Sequence, residues 1–159
     1  IPFVGNFVSA ILAITPFFAV FVYYKNFETV IFVHAIFLFL LILAREMVKD
    51  LENMTGDLIQ NYRTIPVIYG PKVSKICITV LVLLTLIPSL LLIFNFDVGY
   101  MHFYFVGCNF FLLLFLFLLW RSDSKRHYVW LHNILKLIII IGVFSILLIN
   151  VDLVLNRIL

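Results

Sequence analysis

The stretch REMVKDLENMTGDLIQNYRTIP, residues 45–66, is the one long polar interruption in an otherwise apolar chain. Between Arg45 and Lys75 lie nine of the nineteen charged residues: Arg45, Glu46, Lys49, Asp50, Glu52, Asp57, Arg63, Lys72 and Lys75. Four of the eight acids fall between Glu46 and Asp57. On a helix, at about 100° per residue, Glu46, Asp50, Asn53 and Asp57 step by four, three and four and share a stripe about 60° wide. Like charges at this spacing repel, so something must compensate them. Arg45 and Lys49, on the adjacent face, are one answer. A hard divalent cation is the other, because Mg²⁺ takes oxygen ligands, keeps several waters and joins one or two carboxylates to a substrate phosphate. Gly56 is expected to end or bend the helix just before Asp57. A solvated loop between two membrane helices accounts for the same charges without any chemistry.

Around this stretch the composition is that of an integral membrane protein. Hydrophobic residues make up 65% of the 159 and charged residues 12%, about half the charge of a soluble domain. The mean hydropathy is +1.20. Eighteen Phe and seven Tyr suit a lipid-facing, acyl-lined protein. The net charge of +3 is small, and no basic patch is interleaved with stacking aromatics, so nucleic acid is not an expected partner. Cys77 and Cys108 sit in apolar runs without metal-ligand spacing and read as packing thiols. The chain opens on Ile1 rather than Met and enters a hydrophobic helix with no basic n-region or cleavage site. It is therefore expected to be an internal or C-terminal piece of a longer protein.

The expected fold is all-α, a polytopic transmembrane helical bundle. Five spans of about 20 apolar residues can be drawn, at 3–24, 29–48, 76–96, 98–120 and 130–151. Pro16 is expected to kink the first. Tyr69-Gly70-Pro71 is a turn signal closing the polar segment 49–75, and Asp97 with Gly99 marks another turn. His34, inside the second span, reads as a core histidine, since no partner stands at metal spacing. If the spans alternate, the regions 45–75 and 121–136 share one membrane face. That face carries Arg45, Lys49, Arg63, Lys72, Lys75, Arg121, Lys125, Arg126 and Lys136, against only Lys25 and Arg157 opposite. The positive-inside rule then directs the acidic stretch to the cytoplasm.

Carboxylates, cations and a lipidic surround suit a diphosphate head on a long apolar tail. Acid-held Mg²⁺ with nearby Arg and Lys would neutralise such a head and promote its departure, while the tail would lie between Phe- and Leu-lined helices.

The run R-E-M-V-K-D-L-E-N-M-T-G-D at 45–57, followed by Arg63-Thr64-Ile65-Pro66 and Tyr69-Gly70, resembles the second aspartate-rich motif of the UbiA superfamily of intramembrane prenyltransferases. It is most similar to the digeranylgeranylglyceryl phosphate synthase-like branch. Ile1-Pro2-Phe3-Val4-Gly5-Asn6 resembles the segment opening that family's fifth helix, and Ile134-Leu135-Lys136-Leu137 the element opening its last. Order and spacing agree with helices five to nine of a nine-helix bundle, so the resemblance covers residues 1–159 as the C-terminal part of one transmembrane domain. It implies Mg²⁺-dependent transfer of a prenyl group, such as geranylgeranyl, from a prenyl diphosphate to a lipid or aromatic acceptor. It also implies metal ligands at Asp50, Asn53 and Asp57, with Asp50 and Asp57 as the catalytic carboxylates. Lys49, Arg63 and Lys136 would meet the diphosphate.

Several of these positions have competing readings. Asn53 stands where the motif has an acid, and Asp50 or Glu52 can take its place. Glu46 and Glu52 can instead pair with Lys49 or Arg45. Arg63 can bind diphosphate or hold the loop, and Lys136 can do the first or mark the interface. Tyr62 and Tyr69 read as packing or interface residues rather than acceptor contacts. The family's first motif, N-x-x-x-D-x-x-x-D, has no match in this sequence, so this piece alone carries half an active site. The alternative is a non-enzymatic transporter or channel fragment. Such a protein needs polar residues at mid-membrane, where the spans offer only Thr15, His34, Ser89, Asn109 and Ser145.

Overall fold

In the computed structural model, which describes residues 2–25 and 27–145, apolar runs become helices and polar runs become their ends and joints. The order is α1 (Val4–Tyr24), α2 (Thr29–Ile59), α3 (Ile65–Phe94), a 3₁₀ turn (Gly99–Met101), α4 (His102–Arg121) and α5 (Lys125–Ser145). No strand occurs among the described residues. In a bilayer every backbone donor and acceptor must be satisfied within its own segment, which leaves helices as the solution for such a sequence. Four helices, α2 to α5, are long and apolar enough to cross a membrane. Within α1, which runs 21 residues in all, the apolar stretch counted among the described residues is Val4–Ala19. The end of the expected fifth span, past Ser145, and the tail 152–159 lie outside the described residues.

The helix α2 is the hub. It packs against α1, α3 and α5, while α4 closes the bundle by packing on α3 and α5. Its length explains the role: an apolar run through Ala44 supplies buried Phe37, Leu38, Leu41 and Ala44, and the helix continues past the charges to bury Met47, Val48 and Leu51. These meet Ile78 and Val82 of α3, Phe105, Leu112 and Phe115 of α4, and Leu131 and Leu135 of α5 in one core.

Two expectations need correction. Gly56 neither ends nor bends α2; the helix runs through it to Ile59, and Gly56 sits in open space. A lone glycine costs a helix only about 1 kcal/mol, which the hydrogen-bonded turns on both sides absorb. The Tyr69-Gly70-Pro71 signal is real but does not separate loop from span. Ile65 already begins α3, with Pro66 at its start, and Gly70 forms a kink inside it at φ 85°, ψ 164°. That backbone conformation is open to glycine and strained for other residues. The polar linker thus shrinks to residues 60–64, and the turn at Asp97–Gly99 appears as expected, Asp97 accepting a hydrogen bond from the Gly99 N–H at 3.2 Å.

Candidate functional site

The acidic stretch is helical throughout, so its stripe is intact. The groups of that stripe have very different surroundings. Glu46 is matched by cations of its own helix: Arg45 Nη1 lies 2.8 Å from Oε1 and Lys49 Nζ 3.4 Å from Oε2. Asp50 is half-buried and meets no cation at that range among the described residues. Its partner is neutral: Asn6, buried at the start of α1, donates from Nδ2 to Asp50 Oδ2 at 2.8 Å. Asp50 lies beyond the apolar run of α2. Burial pushes its carboxyl up to about 6, the Asn6 hydrogen bond opposes this, and the charges of Asp57 and Glu46 add to it against Lys49. A carboxylate in that condition is one whose ionised form a further cation would favour. Asn53 and Asp57 are both partly exposed.

Glu52 does not join them. It points about 130° round the helix from the centre of the stripe, where His132 of α5 meets it, Nδ1 to Oε2 at 2.9 Å. Expected pairing of Glu52 with Lys49 or Arg45 is therefore replaced by a link between helices. With Glu52 turned away, it does not stand in for Asn53. Arg63 lies exposed in the linker after α2, and Lys136 lies exposed on α5. Tyr62 and Tyr69 are exposed. Lys49, expected at the diphosphate, is engaged with Glu46.

Below the acids the same face of α2 changes character. Phe32, Ala35, Ile36 and Phe39 line a cavity of about 320 Å³ with Ile11, Ile14, Thr15 and Phe18 of α1. Counting 100° per residue, these four α2 positions and Glu46, Asp50, Asn53 and Asp57 all fall within a sector about 100° wide. Ala10 of α1 packs on Leu43 between the two zones. Asn6 and Ala10 carry α1 up to the acids, and Ile11 to Phe18 carry it down the groove. One face thus presents carboxylates at the polar end of the bundle and an apolar slot leading away from them.

Oxygen donors on this stripe are hard ligands. Asp50 and Asp57 stand seven residues apart, roughly 10 Å along the axis, with Asn53 between them. Among the described residues no three of His, Cys, Asp and Glu converge as a metal cage. The donors are oxygen atoms of the kind a hard divalent cation takes, without forming a closed all-protein site.

Two further groups at this end carry no sequence signal of their own. Lys75 of α3 is only 7% exposed. Its Nζ donates to the Ser122 carbonyl at the end of α4 and sits 3.0 Å from Asp123 Oδ1. Tyr128 donates its hydroxyl to the same carbonyl at 3.0 Å. His34 is buried among Phe17, Phe37 and Phe105, its ring stacked on Phe17 at 5.6 Å, as expected of a core residue.

The sequence is similar to those of known proteins. A digeranylgeranylglyceryl phosphate synthase of Methanobrevibacter smithii is 34% identical over 96 residues, covering 57% of this chain and 32% of its own length. That of Thermococcus onnurineus is 31% identical over 113 residues, 71% of this chain and 41% of its own. That of Thermococcus gammatolerans is 28% identical over 148 residues, 92% and 52%. The chain thus spans about half, or less, of the length of these relatives. No solved structure matches it. The UbiA prenyltransferase family model matches residues 1–149, and the chain, an integral membrane protein, belongs to the UbiA prenyltransferase family.

Proposed function

We propose that this chain supplies the C-terminal half of the site of an Mg²⁺-dependent prenyltransferase. In this reading a prenyl group, geranylgeranyl in the branch the relatives are named for, passes from a prenyl diphosphate to a lipid acceptor. The observation that carries this is the shared face of α2, acids at the polar end and an apolar groove below. A donor with a charged head and a long tail is the ligand class that such a face fits. Asp50, Asn53 and Asp57 would hold Mg²⁺, which when bound draws charge from the departing diphosphate.

The chain's own residues then have separable tasks. Asn6 fixes one oxygen of Asp50, which leaves the other for the ligand. Arg63, just past the end of α2, and Lys136 are the cations proposed to meet the diphosphate oxygens. Lys49 holds Glu46 and so trims the negative charge of the stripe. The groove between α1 and α2 takes the tail and keeps water from the carbon left electron-poor. The basic residues gathered at this end support a cytoplasmic location for it, by the positive-inside rule.

The reading is tested in the full-length protein by Asp57→Ala. Mg²⁺-dependent prenyl transfer to a lipid acceptor should fall to background, with membrane insertion unchanged. Transfer retained at the wild-type rate would end the assignment of Asp57.

A further inference from the structure

The outer face of α4 and α5 carries a second amphiphilic slot, on helices that take no part in the acidic stripe. Its lower part is a cavity of about 240 Å³ with almost no polar surface, lined by Phe111, Leu114 and Leu118 of α4 and Trp130, Ile134 and Ile141 of α5, among others. These positions recur at helical spacing, so each helix gives one continuous stripe. The stripes then continue past the apolar zone. Leu118 and Trp130 also line a second cavity of about 220 Å³, whose other walls include Arg121, Ser122 and His127. Two cavities that share both a wall of α4 and a wall of α5 are one slot with two ends.

The ends differ in charge. Arg121 is exposed, its guanidinium over the Phe117 ring at 4.7 Å, and His127 is exposed at the opposite lip. Lys125 and Arg126 follow in the first turn of α5. The nearby acid, Asp123, is engaged by Lys75. This corner of the bundle is therefore cationic, and it stands at the same end as the other basic residues. From Trp130 to Ile141 the apolar wall extends about 16 Å along α5, the reach of a lipid chain through one leaflet of a bilayer about 30 Å thick.

We propose that this slot holds an anionic phospholipid, its phosphate between Arg121 and His127 and one acyl chain along the α4–α5 groove. A zwitterionic lipid would fill the groove equally well, but it carries no net negative charge to offer the cationic mouth. The site is separate from the α1–α2 face, so the proposal stands whether or not the prenyl-transfer reading does.

The chain has two tryptophans, and Trp130, 58% exposed, lies where the two cavities join. In the full-length protein, with Trp120 and every tryptophan outside this stretch replaced by Phe, it becomes the sole reporter. Reconstituted in phosphatidylcholine vesicles, Trp130 should be quenched by brominated phosphatidylglycerol at a mole fraction roughly fivefold lower than by brominated phosphatidylcholine, the factor one basic side chain contributes near an anionic lipid. The double variant Arg121→Gln, His127→Gln should erase the preference, Arg121→Lys should retain most of it, and excess inorganic phosphate should not displace the lipid. Equal quenching by both lipids would overturn the proposal in favour of ordinary annular lipid. Quenching by neither would mean that protein, either further chain or a second copy, covers the face. Displacement by inorganic phosphate would leave a simple anion site.

Discussion

The two charged corners at the polar end of this bundle are built on opposite plans. At the α3–α4–α5 corner, Lys75 is buried and meets the Ser122 carbonyl and Asp123, while Tyr128 satisfies the same carbonyl. A cation at the end of α4 also suits the negative pole of that helix. Its partners are protein groups, and they hold three helices together. At the α1–α2 face, Asp50 has among the described residues only the neutral Asn6 for a hydrogen-bond partner, with Glu46 and Asp57 adding negative charge. Charge matched inside the protein is architecture. Asp50, with a neutral amide as its hydrogen-bond partner among the described residues, keeps an oxygen open to a partner from outside, and in the proposed function this difference separates the site from its scaffold.

The sharpest way to break the contrast is at Asn6. Asn6→Ala removes no charge and no presumed ligand, yet frees Asp50 to turn. In the full-length protein the Mg²⁺ concentration for half-maximal transfer should rise about 10- to 100-fold, the usual effect of losing a partner that orients a metal ligand. In an Asp50→Ala background the same change should do little. An additive loss would mean that Asn6 acts through α1 packing instead.

At the other corner the expected effect is on stability. Lys75→Ala strands the buried Ser122 carbonyl with Tyr128 alone, while Asp123, 89% exposed, returns to water. Unfolding in detergent should be easier by about 1–3 kcal/mol, with Mg²⁺ dependence unchanged. A shift in Mg²⁺ dependence would show that the two corners are coupled.

The smallest effect is expected where the two plans meet. Glu52, outside the acidic stripe, joins His132, so His132→Ala should cost about 1 kcal/mol. It should raise amide exchange in the last turns of α2 without affecting those of α3. Unchanged exchange there would mean that packing of Leu51 and Met47 suffices to hold the extension.

Much of this was legible from local pattern. Runs of 20 apolar residues have one solution in a bilayer, so the spans at 29–48 and 98–120 were visible in composition. Helical spacing likewise put Glu46, Asp50, Asn53 and Asp57 on one face, and the pairing of Glu46 with Lys49 followed from i, i+3 geometry. Gly56 misled because glycine's local preference is weak beside the hydrogen bonds of the turns around it. The Gly70 signal marked a backbone bend correctly but not the structure on either side, since helix resumes at once on Pro71.

By itself, then, the sequence determined the helical membrane class, the family, and the stripe on which acids are collected. The class and the stripe are properties of composition and of three- and four-residue steps along a helix, and the family follows from motifs kept in order along the chain. The tertiary structure alone decided which acids remain available. Asn6 reaches Asp50 across 44 residues, Lys75 reaches Asp123 across 48, and His132 draws Glu52 away across 80. No local periodicity encodes such pairings. They are set by how α1, α3 and α5 pack around α2, and that packing is fixed by the burial of their apolar faces, not by the charges it happens to bring together.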